Sequence, residues 1–296
     1  MKIGFLGFGE AASNFAKGFQ EEGGLELYGY DIMLAAGSAG GEIVRRRMEE
    51  TGVTPAADPA ELLSKAKTIF LVIPAKFARD TALSALPYMT EEHLFCDLTT
   101  NTPVTKEELG KTFEEAGCLY TDASVMGAVP IYLHRTPVVA SGNGAQEMIR
   151  RLTPFGMEIR DVGTEAGRAV RIKLTRSIFV KGAEALTMET LMAARAQGIE
   201  EEIVDGIEAS FCKLGFTGFC GQLVRSGVLH SERRSLEAKE CQELEEELGL
   251  DAKMMEATYR KLKWLDAFGL AQTQPDCRTL DDLYELWETS GVLKIK

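Results

Sequence analysis

Positive charge is in the minority in this sequence, with 33 Lys and Arg against 45 Asp and Glu and a formal net charge of −12. A surface with this balance repels phosphodiester backbones unless a local basic patch overrides the total. The run Arg45–Arg47 is short and is flanked by Glu42 and Glu49. Nucleic acid is therefore not expected as a partner.

Long apolar runs are also missing, since none approaches the roughly 20 residues that a membrane-spanning helix needs. The first apolar stretch begins at residue 2, which leaves no room for a secretory signal. We therefore expect a cytoplasmic protein with no membrane partner. A hydrophobic fraction of 45% and a length of 296 residues suit a soluble globular chain with two domains.

Patterns that bind metal or form disulfides are absent as well. The six cysteines form no Cys-x-x-Cys pair, and the three histidines show no ligand spacing with them. We expect no metal site and interpret the cysteines as thiols in a reducing compartment.

What the sequence does contain is a glycine-rich turn between two apolar stretches. Lys2–Leu6 predicts a buried strand, Ser13–Glu22 a helix, and Leu25–Tyr30 a second strand that is followed by Asp31. The turn between the first strand and the helix reads Gly7-Phe8-Gly9-Glu10-Ala11-Ala12. A Gly-x-Gly-x-x-Ala turn in this context is the dinucleotide-binding fingerprint of a Rossmann fold.

The residues of this fingerprint have distinct expected roles. Gly7 allows the sharp turn, Gly9 lets a pyrophosphate approach the backbone, and the helix N-terminus offers free N–H groups to the phosphates. Asp31 is expected to bind the ribose diol and to repel the 2′-phosphate of NADP, so NAD is the expected cofactor and NADP the less favoured one. The alternative is an ordinary tight turn without a ligand. The expected cofactor contacts are Gly7, Phe8, Gly9, Glu10, Ala11, Ala12, Asp31, Ile73, Pro74 and Thr99.

Strands alternate with helices over about the first 160 residues, a pattern typical of a doubly wound sheet. A helix is predicted at Thr81–Met89, and further strands at Thr68–Ile73, His93–Leu98, Leu119–Ala123 and Pro137–Ser141. A long helix is predicted at Glu165–Ala196, followed by amphipathic helices at Ile203–Leu214, Ser231–Leu248, Ala252–Phe268 and Leu280–Thr289. The predicted fold is α/β, with a Rossmann doubly wound parallel sheet in residues 1–162 and an all-α domain in 163–296 that begins with the long linking helix.

Four motifs lie at characteristic places in this pattern. They are Gly4-Phe5-Leu6-Gly7-Phe8-Gly9, Asp97-Leu98-Thr99-Thr100, Asp122-Ala123-Ser124-Val125-Met126-Gly127, and Gly167 six residues before Lys173. By these motifs the chain resembles the β-hydroxyacid dehydrogenase superfamily, which includes 6-phosphogluconate and 3-hydroxyisobutyrate dehydrogenases. The resemblance covers the first domain and the linking helix, whereas the last ~100 residues share only an all-helical character.

The resemblance implies roles for particular residues. In the family, a lysine at the place of Lys173 is the general acid/base, and an Asp-Ala-Pro-Val-Ser-Gly loop binds the substrate carboxylate. Here Met126 replaces the family's serine, Ser177 stands where an asparagine is usual, and the usual Lys-Asp pair of the C-terminal domain is missing. These differences resemble a less characterised branch and leave the substrate open.

Oxidation of an alcohol requires a base that removes the hydroxyl proton as the hydride leaves. Lys173 can act as that base only if its charged form is disfavoured, and burial, the nicotinamide charge and Arg176 one helical turn away would each have that effect. The alternative is a surface lysine with an arginine neighbour.

A small carboxylate is the expected substrate. Its candidate contacts are split between two loops and two helices. Met126 would make the pocket more apolar than the family's serine does. The candidates can equally be residues of ordinary loops, and His230, with Arg233 and Arg234, can equally lie at a solvated helix start. The expected substrate contacts are Ser124, Met126, Gly127, Thr100, Asn101, Ser177 and His230.

The leading interpretation is an NAD-dependent oxidoreductase that acts on a small 3-hydroxy acid or its keto form. Imine reduction on the same fold and a nucleotide-binding sensor without turnover are the alternatives. In the family, helical domains of this kind pack against a second subunit, so a homodimer or higher oligomer is also expected.

Overall fold

The computed structural model describes residues 1–36, 39–273 and 275–294, without the side chains of residues 35 and 36. The chain divides into two compact units, Met1–Ile178 and Phe179–Lys296. The last strand ends at Asp161, next to the predicted boundary at residue 162. The division between the two units falls further on, inside the helix Arg168–Gln197.

The first unit is built on a sheet, for which the described residues supply eight strands in the order β3-β2-β1-β4-β5-β6-β7-β8. All pairs from β3 to β6 are parallel, as predicted. The order reverses between β1 and β4, and in such sheets ligands bind at the carboxyl ends of the strands around that reversal. The strands are β1 Lys2–Leu6, β2 Glu26–Tyr30, β3 Thr54–Pro55, β4 Thr68–Leu71, β5 Leu94–Asp97, β6 Leu119–Val125, β7 Val138–Ser141 and β8 Ile159–Asp161.

Helices of the first unit connect these strands, and the long linking helix α8 follows the last of them. Short 3₁₀ turns lie at Ile32–Ala36, Leu86–Tyr88, Leu133–Arg135 and Thr153–Phe155. The helices are α1 Glu10–Glu22, α2 Ala39–Glu50, α3 Pro59–Lys65, α4 Ala75–Ala85, α5 Pro103–Glu115, α6 Val129–Tyr132, α7 Ala145–Leu152 and α8 Arg168–Gln197.

Aromatic side chains fill one face of the sheet beneath α1. Phe15 and Phe19, which are four residues apart and therefore share a helix face, are 1% and 0% exposed. Their rings pack on Phe70 of β4, which meets Phe5 of β1 edge-to-face at 5.6 Å. This packing fixes α1 against β1 and β4.

The structure corrects the sequence predictions at several elements. β7 runs antiparallel to β6, because the short connection between them contains the single-turn α6 and a 3₁₀ turn but no crossover helix. The short strands β3 and β8 were not predicted. The helix predicted at Thr81–Met89 is α4, which begins at Ala75 and ends at Ala85.

The second unit, from Phe179 onward, has no strand among its described residues, as predicted for an all-α domain. After the end of α8 it contains α9 Glu200–Leu229, α10 Ser231–Glu247, α11 Lys253–Asp266, α12 Leu270–Thr273 and α13 Leu280–Thr289. The predicted helix Ile203–Leu214 ends where Gly215 takes a φ of 62°, but the helical backbone resumes and continues to Leu229.

A small apolar cluster, Val228, Leu270, Cys277 and Leu283, joins α9, α12, α13 and the segment between the last two. Other apolar side chains of the second unit are exposed, such as Phe216 at 55% and Met188 at 60%. Within the residues that the structure describes, no helix is both long enough and apolar enough to span a bilayer.

Candidate active site

The glycine-rich turn leaves β1 through a backbone conformation that only glycine adopts easily. Gly7 has a φ of 91°, and its N–H donates to the carbonyl oxygen of Tyr30 at 2.8 Å. A Cβ at this position would lie 2.6 Å from the carbonyl oxygen of Val72 and 2.1 Å from a methyl group of Ile73. The predicted role of Gly7 in the sharp turn therefore has a steric reason.

Gly9 is the N-cap of α1, and the residues around it fit a pyrophosphate. A Cβ on Gly9 would meet no other heavy atom within 4 Å, so the space over its backbone is open. No side chain caps the helix, which leaves the N–H groups of its first turn available to an anion. Phe8 and Ala12 are buried, Ala11 is half-buried and Glu10 is exposed.

The Asp31 carboxylate at the end of β2 is held in place by two backbone N–H groups. Its Oδ2 accepts from Phe8 N at 2.8 Å, and its Oδ1 accepts from Met33 N at 2.9 Å. The first bond ties the acid that follows β2 to the glycine-rich turn. It therefore fixes the Asp31 carboxylate, the predicted acceptor for the ribose diol, next to this turn.

A cavity of about 480 Å³ lies at the carboxyl ends of β1, β2 and β4. Asp31 carries the single charge among the described residues that line it. An apolar pocket with one acid at its rim suits the adenosine half of a dinucleotide. The lining residues are Leu6, Gly7, Tyr30, Asp31, Ile32, Met33, Pro59, Ile73, Pro74, Phe77, Thr81 and Ser84.

Thr99, another predicted cofactor contact, forms hydrogen bonds to a neighbouring side chain. Its backbone N–H and its hydroxyl both donate to Asp97 Oδ1, at 3.0 and 2.6 Å. Ile73 is half-buried and Pro74 is exposed at the rim of the cavity.

The structure reveals a buried cation that the sequence predictions missed. Lys106 of α5 is 0% exposed, and its Nζ lies 2.9 Å from Asp97 Oδ1 and 3.5 Å from Asp122 Oδ1. It also donates to the carbonyl oxygen of Asp97 at 3.0 Å, and the Tyr120 hydroxyl donates to Asp97 Oδ2 at 2.8 Å. Burial and the adjacent Asp97 raise the pKa of Tyr120 well above its ordinary value, so the phenol stays protonated.

Two signals in the sequence point to this cluster in retrospect. Lys106 shares the buried face of α5 with Leu109 and Phe113, at helical spacing. Asp97 and Asp122 lie near the ends of consecutive strands, and the structure pairs them directly across β5 and β6. A lysine on an apolar helix face opposite two such acids is a buried ion-pair pattern.

Asp122 connects this cluster to the linking helix. Its Oδ2 accepts from the backbone N–H groups of Gly167 and Val170, at 3.1 and 3.0 Å, and so satisfies donors at the start of α8. Burial raises the pKa of Asp122, while the Lys106 ammonium and these N–H groups act in the opposite direction.

Lys173 follows one turn later on α8 and is half-buried. Loss of hydration lowers its pKa, and the positive charge of Lys106 lowers it further, whereas Asp122 opposes the change. The neighbouring cation is thus Lys106, while Arg176, to which the sequence analysis assigned this effect, is exposed. The charged form of Lys173 is therefore less favoured than that of a fully exposed lysine.

The predicted substrate contacts of the first unit lie in different surroundings. Ser124 on β6 is 1% exposed, and its hydroxyl has no hydrogen-bond partner among the described residues. Gly127 and Thr100 are exposed, and Met126 is half-buried, with its N–H donating to Pro137.

Asn101 and Ser177 complete the first unit's set. The Asn101 amide donates to the carbonyl oxygen of Ala75 at 3.2 Å, and its Oδ1 accepts from Thr102 N. Ser177 is half-buried on α8, one turn beyond Lys173. His230 belongs to the second unit, where it is exposed between α9 and α10.

Comparison with known proteins identifies the family. Residues 2–159 match the model of the NAD-binding domain of 6-phosphogluconate dehydrogenase. The chain belongs to this family of NAD-binding, hydroxyacid dehydrogenase-like proteins.

Two characterised relatives share parts of the chain. The mitochondrial 3-hydroxyisobutyrate dehydrogenase of Mus musculus is 28% identical over 131 residues, which is 43% of this chain and 36% of that protein. The 3-sulfolactaldehyde reductase of Escherichia coli is 23% identical over 209 residues, which is 68% of this chain and 66% of that protein. The matched part of the chain thus spans about a third of the length of the first enzyme and about two thirds of the length of the second.

Two solved structures match most of the chain. A conserved hypothetical protein from Sinorhizobium meliloti is 30% identical, with a TM-score of 0.60 over 89% of this chain and 87% of that one. The imine reductase of Streptomyces aurantiacus reaches a TM-score of 0.76 over 97% of this chain and 100% of that one, at 15% identity. At that identity the second match shows the fold alone.

Proposed function

We propose that this protein is an NAD-dependent oxidoreductase that transfers a hydride between the nicotinamide and a small 3-hydroxy acid or its keto form. The observation that carries the proposal is Lys173, a half-buried lysine whose pKa is lowered by burial and by a second buried cation. An ordinary surface lysine has neither feature. A sensor without turnover would have no need of a lysine in this state.

The dinucleotide would be held by the glycine-rich turn and by Asp31. Gly9 leaves room for the pyrophosphate at the N-terminus of α1, and Asp31 offers acceptor oxygens to the ribose diol. When bound, the nicotinamide accepts or supplies the hydride. NAD is favoured over NADP, because a 2′-phosphate would lie beside the Asp31 carboxylate with no basic residue among the described residues that line the cavity.

Lys173 would move the proton. In oxidation its neutral amine accepts the hydroxyl proton of the substrate, and in reduction its ammonium returns a proton to the carbonyl oxygen. Partial burial keeps a larger fraction of Lys173 neutral at a given pH than full exposure would.

The substrate carboxylate would bind between the loops that follow β5 and β6. The Ser124 hydroxyl has no hydrogen-bond partner among the described residues, and Gly127 is exposed in the loop after β6. Thr100 and Asn101 face the same end of the sheet, since parallel strands end at one edge. Met126, half-buried in this loop, favours a substrate with an apolar group.

The test is the variant Lys173→Met, which keeps most of the side-chain volume and removes the exchangeable proton. A panel of 3-hydroxy acids with NAD, and of the matching keto acids with NADH, identifies a substrate by absorbance at the nicotinamide band. The variant should bind NAD as the wild type does, while kcat falls by a factor of about 10²–10⁴. Lys181→Met, at an exposed lysine of the same helix, is the matched control.

Turnover by Lys173→Met within about tenfold of the wild type would contradict the proposal. Keto compounds offered together with amines extend the panel to imine reduction. If NADH is oxidised faster with a keto compound and an amine than with the keto acid alone, the reaction is imine reduction and not hydroxy-acid oxidation or its reverse.

A further inference from the structure

The buried Lys106 has no place in the proton transfer itself, so its position calls for another explanation. Its ammonium is wholly removed from water and is paired with Asp97 and Asp122. A buried ion pair is weak evidence for stability, because well-packed apolar residues of similar volume often do as well or better. Lys106, Leu109 and Phe113 form the buried face of α5, where a third apolar residue would fit the pattern.

Asp122 joins Lys106 to the helix that carries Lys173. One carboxylate oxygen of Asp122 faces the Lys106 ammonium, and the other accepts the N–H groups of Gly167 and Val170. Lys173 follows Val170 by one helical turn and therefore lies on the same face of α8. Asp122, paired with Lys106, thus anchors the first turn of α8, one turn before Lys173.

We propose that Lys106 is a positioning residue for Lys173: its buried ammonium holds the Asp122 carboxylate on the first turn of α8 and adds a second positive charge that acts on the Lys173 amine. This inference rests on the proposed acid/base role of Lys173. Lys106 itself touches no reacting atom in this scheme.

The charges that act on Lys173 come from two elements packed near it. Lys106 of α5 lowers the pKa of Lys173, and Asp122 of β6 raises it, in addition to the larger lowering by burial. Asp97 is the remaining acid of the cluster and is shared among Lys106, Thr99 and Tyr120. Removal of Lys106 and removal of the Asp122 charge should therefore shift Lys173 in opposite directions.

The titration of Lys173 can be followed without a substrate. Trace acetylation of the full-length protein with acetic anhydride across pH 6–11, read by peptide mass spectrometry, reports the neutral fraction of each accessible lysine. Two variants are compared with the wild type, Lys106→Met and Asp122→Asn. Lys111→Met is the matched control, because Lys111 is a well exposed lysine on the same helix as Lys106.

In Lys106→Met the acetylation midpoint of Lys173 should move to higher pH, and its rate below the midpoint should fall by a factor of about three to ten. In Asp122→Asn the midpoint should move to lower pH, and in Lys111→Met it should stay. A midpoint that stays in Lys106→Met, or that moves the same way in both variants, overturns the proposal.

Should Lys106→Met fail to fold by circular dichroism, Lys106→Gln replaces it, since Gln keeps a donor for the Asp97 carbonyl oxygen and removes the charge. A Lys173 midpoint that does not rise in that variant overturns the proposal. Because labelling requires no turnover, the result stands apart from the proposed function. If the midpoints shift as expected while Lys173→Met remains active, the acid/base role fails and the coupling between the two lysines stands.

Discussion

A methyl group added to either glycine of the turn should separate folding from cofactor binding. Gly7 has a φ of 91° and packs against Val72 and Ile73, whereas Gly9 has an ordinary φ of −79° and open space around it. Gly7→Ala should therefore destabilise the protein. Gly9→Ala should fold normally but lose affinity for NAD.

The magnitudes follow from these geometries. In Gly7→Ala the left-handed backbone costs about 1–2 kcal/mol, and overlap with the Val72 carbonyl oxygen adds about 1–3 kcal/mol. In Gly9→Ala the extended conformation suits alanine, and the change at the N-cap costs less than about 1 kcal/mol. The new methyl group would occupy the proposed pyrophosphate space and weaken NAD binding at least about tenfold, or 1.4 kcal/mol.

Thermal unfolding and isothermal calorimetry with NAD measure the two effects on the same samples. The expected pattern is a lowered unfolding temperature for Gly7→Ala alone and a raised dissociation constant for Gly9→Ala at nearly unchanged stability. If Gly9→Ala binds NAD as tightly as the wild type, the pyrophosphate does not lie over Gly9. If Gly7→Ala is as stable as the wild type, the steric argument for this glycine is wrong.

Three further predictions concern specificity, acid stability and assembly. Asp31→Asn should raise the affinity for NADP relative to NAD at least about tenfold by calorimetry, because a charge beside the 2′-phosphate is lost, and a wild type that prefers NADP would contradict this. Hydrogen bonds from Arg150 and then Arg151 lower the pKa of Glu147 to about 2, so its contribution is present above about pH 4.5 and is lost as the pH falls through 2. In Glu147→Gln the free energy of unfolding, measured with denaturant, should change by about 1 kcal/mol less over that pH range than in the wild type, given the partial exposure of Glu147. The same loss of stability at low pH in both proteins would exclude this role of Glu147. Phe216 of α9 is exposed in the single chain, and we expect a second subunit to cover this apolar side chain. Light scattering should therefore give at least twice the 32.4 kDa monomer mass at micromolar concentration, and Phe216→Ser should lower the measured mass.

The parts that the sequence determined are those that depend on near neighbours in the chain. Gly7, Gly9 and Asp31 lie within one strand-turn-helix-strand unit, where spacing alone brings the turn, the helix N-terminus and the acid together. The alternation of apolar runs with helical patterns gave the α/β first domain and the all-helical remainder, both of which the structure confirms. The periodicity of α8 also placed Lys173 on a helix that follows the sheet.

Only the tertiary structure decided the surroundings of Lys173. Lys106, Asp97 and Asp122 come from a helix and two strands, and their pairing depends on the order and register of those strands. The reversed direction of β7 likewise depends on how a short connection folds back against β6. Spacing along the chain determines which near neighbours come into contact. The burial of a charge depends instead on which distant segments pack against it, and the packing energy of the whole core decides which segments do so.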